Sequence, residues 1–298
     1  MSIEVIDVTK RYGERHALLN VSVSIPSNCI TALLGPNGSG KTTLMRILIG
    51  YLKPDSGTAK IMGIDVATNS IAVKQITGYL PENNPLYSDM FVKEYLLFIG
   101  KIKKAENLKR RLEEVIEITG IGNYYKSKIK ELSKGYRQRV GIAASLINDP
   151  PVLILDEPTT GLDPIQVLEI RSLIRKIARN KTILFSTHIL PEAEKTSDFV
   201  VIIHRGRIHA CKKTDEIVNM NKKNRVLVVE WEKEPPYLPS DLKILKIGKT
   251  TWEIEYEDES PEHLIYELSN QWNIPVISAS YRESPLESFF REIITSEQ

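Results

Sequence analysis

One stretch near the start of the chain combines the residue types and the spacing needed to bind phosphate groups. It reads Gly35-Pro36-Asn37-Gly38-Ser39-Gly40-Lys41-Thr42, which fits the pattern G-x-x-x-x-G-K-[ST] at each fixed position. The glycines allow the backbone to turn tightly and to aim N–H groups inward. The lysine can reach the β- and γ-phosphates of a nucleotide, and the threonine hydroxyl suits a Mg²⁺ ion. We therefore predict a nucleotide-phosphate site at residues 35–43, with Thr43 as its last member.

The segments on either side of this loop favour a real phosphate site over a glycine-rich turn. Residues 30–34 form an apolar run typical of a buried strand, and residues 43–49 have the spacing of a helix that stops at Gly50. The start of a helix adds the positive end of its dipole to the site. The order of strand, loop and helix is therefore the one that phosphate binding needs.

A pair of acidic residues follows a second buried strand. Residues 152–155 are fully apolar, as in a parallel sheet covered on both faces, and Asp156 and Glu157 come directly after them. A carboxylate at a strand end can hold Mg²⁺, often through water. The next carboxylate, Glu157, points differently and can accept a proton from an attacking water. Together with the phosphate loop, the pair favours a site that hydrolyses ATP over an ordinary acidic turn.

A third segment has the form of an anion site at the start of a helix. Residues 132–139 read Leu-Ser-Lys-Gly-Tyr-Arg-Gln-Arg, so that a serine and a glycine precede a polar helix. A serine hydroxyl and the free N–H groups of a helix N-terminus can bind an anion. Alone, the segment is equally consistent with a simple capped helix. The local pattern therefore leaves both alternatives open.

In combination, these segments resemble the ATP-binding cassette (ABC) proteins over residues 1 to about 215. Residues 132–139 resemble the LSGGQ signature of that family, although Lys134 replaces the first of the paired glycines and Tyr136 replaces the glutamine. The resemblance implies an α/β P-loop NTPase fold of the ABC ATPase type, with a helical signature lobe at about residues 88–148. It also implies that the chain binds ATP and Mg²⁺.

The resemblance assigns roles to three residues that local patterns leave open. Tyr12 matches the aromatic residue that stacks on adenine; otherwise it would be a plain turn tyrosine. Asp163, in Gly161-Leu162-Asp163, matches the D-loop at the dimer interface. His188 matches the switch histidine that contacts the γ-phosphate, whereas a lone histidine is more often structural. The residues predicted to be catalytic are Lys41, Glu157 and His188.

The resemblance further implies that each site is shared between two head-to-tail copies of the chain. Each nucleotide site would consist of the phosphate loop of one copy together with Ser133 and Gly135 of the other copy. A homodimer of these subunits would act on a separate transmembrane permease, contacted near residues 83–90. Isolated chains should therefore be poor ATPases.

Glu82 departs from the usual family pattern, which has a glutamine at this point of the Q-loop. A carboxylate here could bind Mg²⁺, but it cannot donate an amide hydrogen bond. With a glutamate at this position, the chain resembles the ABC-2-type export ATPases, which also carry a C-terminal extension. Residues 79–87 and 132–140 resemble the ATP-binding subunits of gliding-motility-associated ABC-2 transporters of bacteria. The predicted metal ligands are Thr42, Glu82 and Asp156, and we hypothesise that Glu82 also couples the domains.

The chain is predicted to have two domains, at residues 1–220 and 225–298. A polar, basic connector at 219–224 separates them, and the second domain reads as a small α+β module. Its tryptophans could line a ligand pocket, but such aromatic strand faces are more often core. The module could instead dimerise the cassettes. In the first domain, residues 10–13 are predicted to form a basic turn.

Composition excludes several function classes. The 298 residues carry a formal net charge of +2, so nucleic acid is not expected as the main partner. The two cysteines are far apart and match no metal spacing, which favours a reduced intracellular setting. The first residues do not predict a signal peptide, and no apolar run is long enough to span a membrane. Any membrane role must then come through a partner. With this, the resemblance implies a peripheral subunit on the cytoplasmic face of the inner membrane.

Two further classes remain to be compared with this prediction. A soluble ABC ATPase with a regulatory or nucleic-acid-linked role would typically show two cassettes, long coiled-coil insertions or strong basic patches, and none is visible. A GTPase switch would need Asn-Lys-x-Asp to read guanine. Residues 180–183 and 221–224 begin with Asn-Lys but both lack the final aspartate.

Overall fold

The structure is a computed structural model, and it describes residues 1–220, 225–236, 243–256, 261–281 and 285–295. The chain divides into two compact units, Met1–Lys212 and Lys213–Gln298. None of the helices in the described part of the chain combines the length and the apolar character that crossing a bilayer would require.

The first unit contains ten strands and seven helices among its described elements. The strands are β1 (Ile3–Tyr12), β2 (Arg15–Ile25), β3 (Ile30–Leu34), β4 (Ser56–Ile61), β5 (Ile64–Asp65), β6 (Thr77–Leu80), β7 (Val152–Leu155), β8 (Thr182–Thr187), β9 (Phe199–His204) and β10 (Arg207–Lys213). The helices are α1 (Lys41–Leu48), α2 (Ser70–Ile76), α3 (Val92–Ile102), α4 (Leu108–Thr119), α5 (Lys134–Leu146), α6 (Pro164–Ile177) and α7 (Leu190–Thr196).

A six-stranded sheet in the order β10-β9-β3-β8-β7-β6 forms the centre of this unit. The strands from β9 to β6 in that order are parallel to their neighbours. Leu34 at the end of β3 lies opposite Thr187, and Leu80 at the end of β6 lies opposite Leu155. The carboxyl ends of four strands therefore meet at one edge, where open α/β sheets bind their ligands.

An antiparallel sheet in the order β2-β1-β4-β5 packs on this centre through a shared apolar core. That core includes Ile3 of β1, Leu33 of β3 and Met45 of α1. The bounds of the turn predicted at residues 10–13 are wrong: β1 continues to Tyr12 and pairs with β2 from Arg15, so the turn is confined to residues 13 and 14. The polar sequence at the end of β1 does not predict a strand; the strand forms there because β2 supplies the hydrogen-bond partners.

Helices dominate the stretch between β6 and β7, as the sequence predicts. Helices α3, α4 and α5 pack against one another. The helix after the phosphate loop begins at Lys41 rather than at residue 43, so Lys41 and Thr42 belong to its first turn. The short helices α2 and α7 carry no strong periodic pattern, and the sequence did not predict them.

The second unit contains α8 (Thr214–Met220), β11 (Arg225–Trp231), β12 (Lys243–Lys246), β13 (Thr251–Tyr256), α9 (Pro261–Trp272), β14 (Val276–Tyr281) and α10 (Pro285–Thr295). The strands form an antiparallel sheet in the order β12-β13-β11-β14. Residues 219 and 220 of the predicted connector belong to α8, and residues 221–224 lie outside the described residues.

The tryptophans of the second unit lie in its apolar core. Trp231, Trp252 and Trp272 pack there with side chains of β11 and α9. The rings of Trp231 and Trp272 meet edge to face, with centroids 5.1 Å apart. This arrangement is that of packed core residues, so these tryptophans do not support a ligand pocket.

Candidate nucleotide site

The phosphate loop connects β3 to α1, and two of its glycines are required by close contacts. A Cβ on Gly35 would lie 2.2 Å from the backbone oxygen of Ile203. Gly40 has φ of 110°, and a Cβ there would lie 2.6 Å from the oxygen of Ala17. Side chains are therefore excluded at both positions, and the backbone can approach a phosphate.

Lys41 lies buried across this loop. Its Nζ donates to the backbone oxygens of Gly35, at 2.7 Å, and Pro36, at 3.2 Å. The same Nζ lies 3.3 Å from Oε1 of Glu157. The lysine charge is thus compensated inside the site. A phosphate would offer Nζ a stronger, charged acceptor in place of the two carbonyl oxygens.

Asp156 follows β7 and meets Thr42 of the phosphate loop. Its Oδ1 accepts hydrogen bonds from Ser186 Oγ, at 2.6 Å, and from Thr42 Oγ1, at 3.3 Å. Burial raises the pKa of the Asp156 carboxyl, while the hydrogen bonds from Ser186 and Thr42 oppose that rise. Oδ2 is buried and has no hydrogen-bond partner among the described residues. A buried carboxylate oxygen without a partner, beside a threonine hydroxyl, fits the oxygen ligands that Mg²⁺ prefers.

Glu157 adopts an unusual backbone conformation for a residue with a side chain. Its φ is 46°, in the left-handed region, and such a conformation costs of the order of 1–3 kcal/mol. The Glu157 N–H donates to Ser186 Oγ at 2.8 Å, which helps to hold this conformation. The carboxylate then reaches Lys41 through Oε1 and His188 Nδ1, at 3.0 Å, through Oε2. The turn therefore places an acidic group between a lysine and a histidine.

The segment at residues 132–139 forms the start of α5. Ser133 is the N-cap, and its Oγ accepts the N–H of Tyr136 at 3.3 Å. Gly135, in the first turn, lies against the side chain of Gln166. Within the part of the chain that the structure describes, no hydrogen bond joins Ser133 to residues 35–43. The structure thus does not bring these residues to the phosphate loop of the same chain.

Asp163 and Gln138 tie the segment after Glu157 to two helices. The Oδ1 atom of Asp163 accepts the N–H of Gln166 at 2.9 Å and caps α6. The buried Gln138 of α5 donates through Nε2 to the oxygen of Pro158 at 2.8 Å. The segment of residues 158–163 is therefore held at both of its ends.

Tyr12 and Glu82 lie at the margin of the site and are exposed. Tyr12 ends β1 opposite Arg15, and the Arg15 guanidinium approaches Gly38 of the phosphate loop. Glu82 follows β6, whose Leu80 oxygen accepts the N–H of Asp156 at 2.8 Å. No ion pair or hydrogen bond joins Glu82 to the predicted metal ligands within the described ranges.

The sequence did not identify two buried groups at the site. Ser186, the penultimate residue of β8, bonds to both Asp156 and Glu157. Glu192 of α7 is only 3% exposed and bonds to two threonines near the site. Neither belongs to a local pattern; the only sequence signal is that Ser186 lies two residues before His188.

Comparison with known proteins decides the family. The family model described as "ABC transporter" matches residues 18–160. The bacitracin transport ATP-binding protein BcrA of Bacillus licheniformis is 38% identical over 223 residues, which cover 74% of this chain and 72% of that protein. The chain belongs to the ABC transporter family of ATP-binding proteins. The Nod factor export ATP-binding protein I of Burkholderia orbicola, also 38% identical, aligns over 216 residues, or 70% of either chain.

A solved structure confirms the fold of this ABC protein. Dimeric MJ0796, described as a bacterial ABC transporter cassette, matches with a TM-score of 0.65 and 26% identity, covering 71% of this chain and 98% of that one. The predicted α/β fold of the ABC ATPase type is confirmed, and so is the predicted enzyme class. The chain is an ATPase of the ABC transporter family.

Proposed function

We propose that this ATPase powers an ABC-2-type membrane transporter that exports its substrate. A relative named for bacitracin transport supports the role in a transporter, and one named for Nod factor export supports the direction. In this proposal the chain lies peripherally on the cytoplasmic face of the inner membrane and drives a separate transmembrane permease. Within the ABC-2 type, its proposed lineage is that of the gliding-motility-associated subunits.

Hydrolysis in this proposal depends on the buried contacts of Glu157. A γ-phosphate in the loop would take Lys41 Nζ from its carbonyl partners, which would also free Glu157 Oε1. Glu157 would then accept a proton from the attacking water. His188 Nδ1 would keep the carboxylate oriented through Oε2, while the other edge of its ring contacts the phosphate. Lysine and histidine would together offset the charge that develops on the phosphate oxygens.

Thr42 and Asp156 would hold Mg²⁺ in this site, because a hydroxyl and a carboxylate oxygen without a partner lie side by side there. When bound, the ion supplies positive charge that stabilises the transferring phosphoryl group. We retain Glu82 as a third proposed ligand, since it follows the strand that pairs with β7. Tyr12 is proposed to stack on the adenine at the exposed end of β1.

A second copy of the chain is proposed to complete each site. Ser133 and Gly135 start a helix that is not joined by hydrogen bonds to the phosphate loop of its own chain in the described residues. A helix start with a serine is suited to bind a phosphate anion. The dimeric relative MJ0796 supports an arrangement of two cassettes. In that arrangement Asp163 would lie at the interface.

An apolar groove beside the Glu82 turn carries the proposal of a membrane partner. It has a volume of about 510 Å³, and its lining includes Ile71, Tyr79, Pro81 and Ile102. Asn84 of the lining donates through Nδ2 to the oxygen of Arg137 at 2.9 Å, so the groove is tied to α5. An exposed apolar groove of this kind typically binds a partner. A permease helix in this groove could therefore act on α5, the helix that begins at the signature segment (residues 132–139) and is called the signature helix below.

The groove provides the test of transport coupling. Tagged full-length chain is purified from detergent-solubilised membranes of its own host, as wild type and as Ile102→Asp, which places a charge at an exposed side chain of the groove. We expect the wild type to retain a polytopic membrane protein that stimulates its ATPase activity. We expect the variant to lose most of that protein and of the stimulation, because burying an unpaired charge is costly.

The matched control is Met62→Asp, at an exposed position with φ of 51°, which aspartate tolerates. It should keep both the membrane protein and the stimulation. Co-purification of ribosomes or DNA with wild type, without any membrane protein, would instead support the soluble regulatory ATPase and contradict the proposal.

A further inference from the structure

Glu192 is a buried acid with two hydroxyl partners next to the nucleotide site. It lies in α7 and is 3% exposed. Its Oε2 accepts hydrogen bonds from Thr159 Oγ1, at 2.8 Å, and from Thr187 Oγ1, at 2.9 Å. Its Oε1 lies 3.8 Å from Nη2 of Arg171 in α6. One carboxylate thus connects three separate segments of the chain.

Its two threonine partners flank the groups proposed to carry out hydrolysis. Thr187 directly precedes His188, and its Oγ1 also accepts the N–H of Ile189 at 3.0 Å. The residues on both sides of His188 are therefore joined through the Thr187 hydroxyl. Thr159 lies two residues after Glu157. Glu192 consequently holds the two segments from which His188 and Glu157 approach each other.

The hydrogen bonds of Glu192 are of a kind that a carboxylate strengthens. Both threonine hydroxyls donate to the same oxygen, and a carboxylate accepts two such bonds well because they are assisted by its charge. Burying that charge is costly unless it is paired and fully hydrogen-bonded. A carboxylate retained at this position, with Arg171 as its counter-ion, therefore suggests a positional role beyond packing.

We propose that Glu192 is a positioning residue that sets the approach of His188 to Glu157. His188 Nδ1 and Glu157 Oε2 lie 3.0 Å apart, and the two threonines that Glu192 joins belong to the segments that carry these groups. Thr160 Oγ1 adds a direct hydrogen bond to Oε2 at 3.2 Å.

The role rests on the proposed functions of Glu157 and His188. It predicts that loss of the Glu192 charge affects turnover much more than nucleotide binding. The phosphate loop makes no hydrogen bond to α7 in the described residues, and it meets Thr187 only through the backbone, where the Gly35 N–H donates to the Thr187 oxygen at 3.3 Å.

The test compares Glu192→Gln with Glu194→Gln in the full-length chain. The second variant makes the same change on α7 without touching Thr159 or Thr187. We expect Glu192→Gln to lower kcat about 10- to 100-fold, the scale of a small misplacement of catalytic groups. Its KM and its affinity for a fluorescent ATP analogue should stay within about twofold of wild type, which is the pattern of an interaction needed only in the transition state. Glu194→Gln should match wild type in kcat, KM and affinity.

A second variant keeps the proposal falsifiable if Glu192→Gln folds poorly. Thr159→Val removes one hydrogen bond to Glu192 and preserves the shape of the side chain, so kcat should fall while KM is unchanged. Combined with Glu192→Gln, its effect on kcat should be much less than additive, because both changes break the same link. Unchanged kcat in Thr159→Val, additive effects, or a fall in kcat matched by equal losses of affinity would overturn the positioning role.

The same series separates this inference from the proposed catalytic roles. If Glu157→Gln and His188→Ala are nearly inactive while Glu192→Gln and Thr159→Val are normal, only the role of Glu192 fails. If Glu157→Gln itself hydrolyses ATP at the wild-type rate, the proposed catalytic site fails first.

Discussion

At the scale of single residues, Glu157 is held from three directions. Its N–H bonds to Ser186, and its Oε1 faces Lys41. Its Oε2 meets His188 and accepts a hydrogen bond from Thr160 Oγ1. These contacts compensate the left-handed backbone, which costs free energy in a residue with a Cβ. A conformation that is costly and over-determined in this way is typical of groups whose exact placement matters for function.

Removing the charge of Glu157 should stop hydrolysis and spare binding. We expect Glu157→Gln to lower ATP turnover at least about 100-fold, because an amide cannot accept the proton that a general base takes from water. Affinity for ATP, measured with a fluorescent analogue, should not fall. Glu113→Gln on α4, at an exposed glutamate, is the matched control. Turnover near the wild-type rate in Glu157→Gln would exclude this residue as the base.

Local patterns were enough to identify the residues that act through their own turn or strand end. The phosphate loop and the acidic pair both follow from short stretches of sequence. Ser186 and Glu192 could not be found in this way, because their partners lie 5 to 33 residues away and become neighbours only through the sheet. Buried polar groups at a site are therefore the part that a single sequence hides.

At the scale of elements, burial decides which strands the sequence predicts. Strands β3, β7 and β8 are buried at every position. The first two read as largely apolar runs, and β8 has an apolar centre at residues 183–185. The end of β1 is polar and exposed, and only its pairing with β2 makes it a strand. The helix α2 has a single buried residue, Val73, so it carries no periodic signal. Tertiary pairing therefore overrides local preference at the end of β1.

The cap of α6 can be tested on its own. Asp163 accepts the N–H of Gln166 and precedes a proline at the first helical position. We expect Asp163→Ala to lower the free energy of unfolding by about 1 kcal/mol, the usual loss for an N-cap side chain. Asp163→Asn keeps an oxygen that can accept the bond and should lose much less. Urea unfolding followed by circular dichroism measures both; equal stability of the alanine variant and wild type would contradict the cap.

At the scale of the whole molecule, the chain builds two units with separate cores. The core of the first includes Met45 and Leu33, and the core of the second includes Trp231 and Trp272. The nucleotide site uses residues of the first unit alone. The order of the parallel strands explains why one unit suffices to join the phosphate loop, Asp156 and His188 at one sheet edge. It does not explain how Ser133 could reach a phosphate.

In a dimer, Ser133 of one copy could reach the phosphate bound by the other copy. Mixing two inactive variants tests this arrangement. Lys41→Ala disables the phosphate loop, and Gly135→Asp puts a negative charge at the start of α5, where only the flexible Gln166 side chain has to move. Each variant alone should be inactive, because both sites of its homodimer contain the defect. In a mixed head-to-tail dimer, both defects fall in one site. The other site combines an intact loop with an intact signature helix.

An equal mixture should therefore recover about a quarter of the wild-type ATPase activity, since half of the dimers are mixed and each has one intact site. The activity per chain should also rise with total protein concentration, as expected when association creates the site. Double-variant chains carrying both Lys41→Ala and Gly135→Asp, mixed with either single variant, are the control and should recover nothing. If the two single variants also recover nothing at concentrations where they associate, each chain encloses its own nucleotide and the shared site is wrong.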